Sequence, residues 1–440
     1  MKSQQCEVAV VGASAAGLYI AMKLAREGVR VRVYEAATAI DPPRRTLIVT
    51  DKFREQMGLF ANNVIVNEIH VFELFANGSQ ASVELDRPDL IIERADLVKV
   101  LAKEAMAEGA EIITGRRLVN LKARTSDTGR SSPSTSSSEQ DGADAGTRGA
   151  IQLTFEGSNA AETFVTMSDT VIGADGAFSV VAQCAGWPRQ PTVPLVQAIV
   201  ELPDDMSPES TRVWFEPEDT PYFYWLIPEG PGRGGLGLIA DEKPGGKNPQ
   251  EALESFMEKQ GLKAMEFQAA KIPLYLKWTP VHRRVGAGDV YLVGDAAGQV
   301  KVSTVGGIVT GFRGAQGVAD ELLHSNGTGS GQTEVGRDGP FLTSRARISA
   351  DDAGSNAEIR ALRRELDLHL GIRRALHDFN SADYSRLLSL LSNSAKSQLR
   401  RFHRDEAWRL MTHLVWRQPR LLSLGIKNFL LGGGFGDSVR

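Results

Sequence analysis

Short runs of glycine and acidic residues hold the chemistry this sequence can do. The first is EVAVVGASAAGLYIAMKLAREGVRVRVYE at residues 7–35, where Gly12, Ser14 and Gly17 occupy the G-x-G-x-x-G positions between an apolar strand and a helix. In such a turn the first glycine makes the tight bend and the last lets helix and strand pack closely. The helix N-terminus then offers free N–H groups and a positive dipole end to a pyrophosphate. Ser14 replaces the middle glycine but is small enough to fit, and Ala15 and Ala16 supply first-turn N–H groups. Glu35 ends the second strand, eighteen residues past Gly17, where a carboxylate can accept both ribose hydroxyls. Its charge repels a 2′-phosphate, so FAD or NAD is favoured here over NADP.

Two further runs, TVIGADGAFSVV at 170–181 and GDVYLVGDAAGQVKVSTVGGI at 288–308, repeat one design. Each sets a short apolar strand before an Asp next to Gly, Asp175 with Gly176 and Gly294 with Asp295. That exposes a carboxylate and backbone amides at a strand's C-terminal end, where α/β sheets bind ligands. A fourth run, PYFYWLIPEG at 221–230, follows Trp214 and Phe215, so residues 214–225 hold six aromatic rings. Such residues favour a strand that fills a core or lines an apolar slot.

The elements that must position these runs alternate. Strands are predicted at Glu7–Val11 and Val29–Glu35, helices at Ala15–Glu27 and near Arg94–Glu108, and several strands between Val193 and Ile239. The expected class is α/β: a Rossmann-type dinucleotide domain interleaved with a mixed or antiparallel-sheet substrate domain, plus a C-terminal helical region. Residues 1–60, 91–185 and 281–324 are assigned to the first domain and 61–90 with 186–280 to the second. Residues 126–149, rich in Ser, Gly and Asp, are expected to be a disordered insertion, and 325–356 a linker. From 357 to 440 apolar residues recur at helical spacing among Arg and Ser.

Fifty basic and 54 acidic residues leave a net charge of −4, which excludes a nucleic-acid binder's basic field. Two cysteines, Cys6 and Cys184, cannot build an iron–sulfur or structural zinc site, and no metal is expected. No apolar run reaches the ~18 residues of a spanning helix and no signal-peptide pattern is present, so a cytoplasmic location is expected. From Ala361 to the end, however, 14 Lys and Arg face 7 Asp and Glu, with Trp408 and Trp416 among them. Peripheral contact with the anionic inner face of a membrane is one reading of that region, and a packed subdomain with a basic solvated face is the other.

In order and spacing the three glycine–acid runs resemble the FAD-contact motifs of the para-hydroxybenzoate-hydroxylase-like flavoprotein superfamily. The resemblance implies that Asp295 holds the ribityl hydroxyls and that Gly306, Gly307 and Ile308 lie near the isoalloxazine. It also implies that Asp175 and Gly176 lie near the pyrophosphate, that Arg94 reaches the phosphate and ribityl region, and that Arg44 and Arg45 supply another flavin contact. Gly294 and Leu118 complete the implied cofactor set.

The order Phe223-x-Trp225-x-Ile227-Pro228-x-Gly230 is similar to the aromatic-x-Trp-x-apolar-Pro-x-Gly motif of the geranylgeranyl reductases, flavoenzymes that hydrogenate prenyl chains. By that resemblance Phe223, Trp225, Pro228 and Gly230 shape a substrate pocket. Gly298 stands where hydroxylases commonly carry His, while Val302 and Val305 stand where Pro and Gly are frequent. The expectation is FAD-dependent reduction of carbon–carbon double bonds in an isoprenoid or other hydrophobic substrate, a lipid included. The alternatives are a flavin monooxygenase acting on a hydrophobic or aromatic substrate and a flavin-binding electron-transfer protein without turnover. No catalytic residue is singled out; Tyr222, Tyr224, Tyr275 and water are candidate proton sources. With no second complete nucleotide fingerprint, NAD(P)H or reduced ferredoxin is expected to dock transiently as electron donor.

Overall fold

The computed structural model describes residues 6–124, 150–159, 162–240, 248–327, 356–391 and 393–401. The expected insertion at 126–149, most of the expected linker, and Trp408 and Trp416 lie outside the described residues.

The chain starts with β1 (Cys6–Val11), α1 (Ala15–Arg26) and β2 (Val31–Tyr34), then leaves for β3 (Thr46–Val49), α2 (Lys52–Met57), β4 (Ile65–Ala76) and β5 (Ser79–Glu93). It returns through α3 (Arg94–Ala107), β6 (Glu111–Ile113), β7 (Arg117–Ala123), β8 (Ile151–Glu156), β9 (Thr163–Gly173) and α4 (Val180–Cys184). A second excursion makes β10 (Thr192–Glu201), β11 (Ser210–Trp214), β12 (Tyr224–Gly230), β13 (Arg233–Ile239), α5 (Pro249–Gln260) and β14 (Ala264–Pro273). The last return adds β15 (His282–Val285), β16 (Gly288–Leu292) and α6 (Ile308–Gly327), followed by α7 (Ala357–His377), α8 (Ser381–Ser389) and α9 (Asn393–Arg401).

Two eight-stranded sheets result. The first runs β15-β16-β9-β1-β2-β6, with β7 and β8 attached through β9, and its centre is parallel, with Val10 opposite both Val33 and Ile172. The second runs β14-β10-β13-β12-β11-β4-β5-β3 and is antiparallel except where β11 meets β4. Thr46–Val49, inside the stretch assigned to the first domain, forms β3 at the edge of the second sheet, because its register partners are Leu90–Glu93 of β5.

Helices α1 and α6 cover the first sheet and are joined by stacking of Tyr19 on Phe312, centroids 4.4 Å apart. Period-2 alternation on β12 sends its side chains to opposite faces. Tyr224 and Leu226 pack with Phe256 of α5, while Trp225 and Ile227 share a cluster with Leu362, Leu366 and Leu370 of α7. Helix α7 is fixed to α6 by Arg313, whose Nε lies 2.5 Å from Glu358 and whose Nη1 pairs with Glu365. Among the described residues no helix is long and apolar enough to cross a membrane.

Candidate functional site

The three glycine–acid runs converge although they lie far apart in sequence. They follow the C-terminal ends of β1, β9 and β16, which are neighbours in the first sheet. Gly12 has φ +99°, and a Cβ there would sit 2.5 Å from the Ala174 carbonyl oxygen, so the first run is seated on the second. A Cβ on Gly17 would approach Ala174 Cβ to 2.7 Å, which is the close helix–strand contact expected of that position. A Cβ on Gly294 would meet Ala16 Cβ at 2.9 Å, which seats the third run on the first. Ser14 does more than fit: its Oγ accepts from Gly17 N at 3.2 Å and caps α1. Glu35 Oε2 accepts from Ala13 N and its Oε1 from Ala37 N, each at 2.8 Å, so this carboxylate also fixes the loop above it.

A second group of charges stands beside the third run. The Asp295 side chain is accessible to solvent yet densely surrounded by protein, and these surroundings raise its pKa against the pull first of Arg45 and then of Arg94. A Cβ on Gly307 would lie 3.3 Å from Asp295 Oδ1, which brings the start of α6 against that carboxylate. Arg45 is pushed below its ordinary pKa by burial and then by Arg94, while Asp295 and Glu93 oppose the shift, and its Nε is buried without a hydrogen-bond partner. It keeps its charge, as arginine does. Arg94 Nη1 donates to Pro43 O at 3.3 Å. Arg44 is largely exposed and lies 3.5 Å from Glu93.

Glu93 was not singled out in the sequence, yet it organises this group. It is buried, caps α3 through Ala95 N and accepts from Arg45 N, both at 2.9 Å. The signal available was an acidic residue directly before ADLVKV, although glutamate is not a favoured cap. Gln299 was likewise missed: fully buried, it accepts from Gly294 N at 2.7 Å and so holds the turn that carries Asp295.

Other expected residues sit differently. Asp175 turns its carboxylate into its own chain, accepting from Ser179 Oγ at 2.5 Å, Val180 N at 2.7 Å and Val181 N at 3.1 Å. Burial raises its pKa and these hydrogen bonds lower it, so the side chain caps α4 and leaves Gly176, at φ +82°, to present backbone. Leu118 is buried in the first sheet's core on β7. Pro228 and Gly230 form the bulged end of β12, with Gly230 at φ +152°. Gly298 has φ +67°, and a Cβ there would collide with the Gln190 side chain, whose amide donates to Ala296 O at 2.9 Å.

The aromatic run divides between two faces. Trp225 is buried, donates from Nε1 to Gln197 Oε1 at 3.2 Å and lies against Gly237. Phe223 is half-buried and meets Trp225 edge-on at 6.1 Å. Both belong to the cluster that holds Val300 and Val302, in the segment directly after Asp295. Tyr222 lies on that cluster under the Arg373 guanidinium, 4.2 Å from its ring centre. Tyr275 also belongs to it and donates to Asp367 Oδ1 of α7 at 2.5 Å. Tyr224 points the other way, stacked on Phe256 with its hydroxyl at Asp219 and Ala252 O, and burial followed by Asp219 raises its pKa. It is not placed to serve a substrate on the Trp225 face.

These residues suit a dinucleotide carrying a polyol. The cradle at Gly12 and Gly17 admits no side chain, α1 offers its N-terminus, and a half-buried arginine whose buried Nε has no hydrogen-bond partner stands beside the solvent-accessible carboxylate of Asp295. Among the described residues no cluster of His, Cys, Asp or Glu is placed to hold a metal ion.

The FAD binding domain family model matches residues 5–333. Digeranylgeranylglycerophospholipid reductase 2 of Methanothermobacter thermautotrophicus is 29% identical over 315 residues, covering 69% of this chain and 74% of that protein. The structure of a geranylgeranyl bacteriochlorophyll reductase-like protein from Thermoplasma acidophilum superposes with a TM-score of 0.68 at 16% identity, covering 96% of this chain and 99% of that one. The fold is shared more widely: p-nitrophenol 4-monooxygenase from Pseudomonas putida superposes with a TM-score of 0.56 at 15% identity, covering 97% and 98%. The chain therefore belongs to the FAD binding domain family and is an FAD-dependent oxidoreductase.

Proposed function

We propose that the protein reduces carbon–carbon double bonds of an isoprenoid or similarly apolar substrate. One observation carries this reading: the Phe223–Trp225 face of β12 packs on the Val300–Val302 segment that follows Asp295, so an apolar surface adjoins the cofactor motif directly. The name of the Methanothermobacter relative supports it, and so does Gly298, where a φ of +67° and contact with the Gln190 side chain disfavour the histidine that hydroxylases commonly carry there.

FAD, when bound, supplies hydride chemistry. The first turn of α1 receives the pyrophosphate, Glu35 the ribose, and Asp295 with Arg45 the polyol and its surroundings. The Trp225 face orients an apolar chain and excludes water, while Tyr275 Oη holds a proton against Asp367 Oδ1, at the solvent end of the same cluster. The electron donor in this proposal is NAD(P)H or reduced ferredoxin, docking transiently. The basic C-terminal region would present lipid substrates by peripheral membrane contact, testable by sedimentation with anionic and neutral vesicles at low and high salt.

Turnover of candidate prenyl substrates with reductant, with and without dioxygen, tests the reaction. A gain of about two mass units without oxygen supports reduction, whereas an oxygen-dependent gain of about sixteen replaces it with monooxygenation.

A further inference from the structure

The segment between Asp295 and α6 folds back on itself as a tight hairpin. Lys301 and Gly306 form an antiparallel bridge, Lys301 N donates to Gly306 O at 3.1 Å, and Val305 N donates to Lys301 O at 2.6 Å. Its tip is tied to α7 by Ser303 Oγ and His369 Nδ1 at 2.5 Å. To close this hairpin Val305 takes φ +54°. Among the described residues the other non-glycine position with positive φ is Asn77, a type that tolerates the left-handed region. A β-branched side chain there is a true outlier, since its Cβ crowds the carbonyl oxygen.

Such a conformation persists only where the surroundings over-determine it, and it commonly marks a functional position. The isopropyl group of Val305 is not free in solvent: it packs, half-buried, on the cluster that contains Trp225, Val300, Val302 and Leu366. Immediately after it come Gly306 and Gly307, the latter against Asp295. Val305 thus stands where the cofactor segment meets the apolar face, in a backbone conformation that glycine would adopt without strain.

We propose that Val305 is a specificity-determining residue, whose side chain, packed on the Trp225 cluster beside the cofactor segment, limits the length and bulk of the chain that this apolar face admits. The inference rests on the reading of the Trp225 face as the substrate surface. Each methylene of fit in an apolar pocket changes discrimination by about tenfold or more.

The test uses the FAD-loaded full chain, with prenyl alcohols of increasing length titrated against the flavin absorbance and fluorescence, and melting followed in parallel. Val305→Gly should shift the ratio of affinities toward the longer alcohols by about tenfold or more without lowering the melting temperature. Val305→Ala should shift it part of the way, and Val305→Ile should shift it in the opposite direction. If wild type discriminates among the alcohols but Val305→Gly and Val305→Ala keep its ratios, Val305 is a packing residue and the proposal fails alone. If wild type binds none of them, the substrate reading fails and takes this proposal with it.

Discussion

The Oε2 of Glu35 accepts the Ala13 backbone N–H at 2.8 Å, tying the end of β2 to the glycine turn after β1. The residue that should meet the ribose therefore also shapes the phosphate turn. Glu35→Ala removes this bond and the one from Ala37 N, and should destabilise the protein by about 2–4 kcal/mol while emptying it of FAD. Glu35→Gln, which keeps the length and loses the charge, should retain more stability than FAD. Flavin-to-protein absorbance ratios and denaturant melts of the two variants separate the roles; equal FAD content in all three proteins would refute the ribose assignment.

Asp295 predicts a pH dependence of definite sign. Burial places its folded-state pKa above the unfolded one. The stability linked to this group is therefore full below the ordinary carboxylate pKa and is lost as pH rises through the raised folded value. In the FAD-free protein, Asp295→Asn should raise the melting temperature at neutral pH and flatten its decline from about pH 4 upward. The same variant should hold less FAD. Parallel melting curves for both proteins across that range would show that Asp295 stays solvated.

Phe223 and Trp225, joined in one motif, should respond differently to truncation. Trp225 is buried and hydrogen-bonded to Gln197, so Trp225→Ala should destabilise by about 3–5 kcal/mol and carry FAD away with the fold. Phe223 is half-buried, and Phe223→Ala should lose only about 1 kcal/mol while raising KM for an apolar substrate several-fold. Chemical denaturation combined with steady-state kinetics distinguishes them.

Gly298 offers a comparison with a built-in control. Gly298→Ala meets both a positive φ and the Gln190 side chain, whereas Gly232→Ala, at φ +76° with open space around it, meets the backbone penalty alone. The second change should destabilise by about 1–2 kcal/mol and the first by more, with FAD loss confined to the first. Identical melting shifts would mean that Gln190 moves aside freely.

The glycine–acid runs were legible in sequence because a tight turn, a cap and a strand end are local events, fixed by residues a few positions apart. Gly12, Gly17 and Glu35 needed no distant partner to be read, and α1 and α3 begin at Ala15 and Arg94 as their patterns require. What stayed hidden depends on contacts across long separations. Gln190 reaches Ala296 over 106 positions, and Trp225 shares its cluster with Leu362 and Leu366 of α7, well over a hundred residues away. Asp175 shows the complementary limit: its place beside the cradle was readable, but Ser179 gives its carboxylate a local partner, so it points inward. The left-handed conformation of Val305 could not be read from a residue type that avoids it.

The interleaving of the two sheets also bears on how the protein is made. β1 has β2 on one side and β9 on the other, and β9 in turn waits for β16, which ends at Leu292. No N-terminal stretch short of that point contains a finished cofactor sheet. At about 5–20 residues per second, a ribosome needs tens of seconds to bring β16 out after β1 has emerged. From the time β9 emerges until β16 follows it, the edge of β9 that β16 will occupy is unpaired, a template for the wrong partner. Yield during synthesis should therefore respond to chaperone supply and growth temperature more sharply than the melting point of the finished protein would suggest.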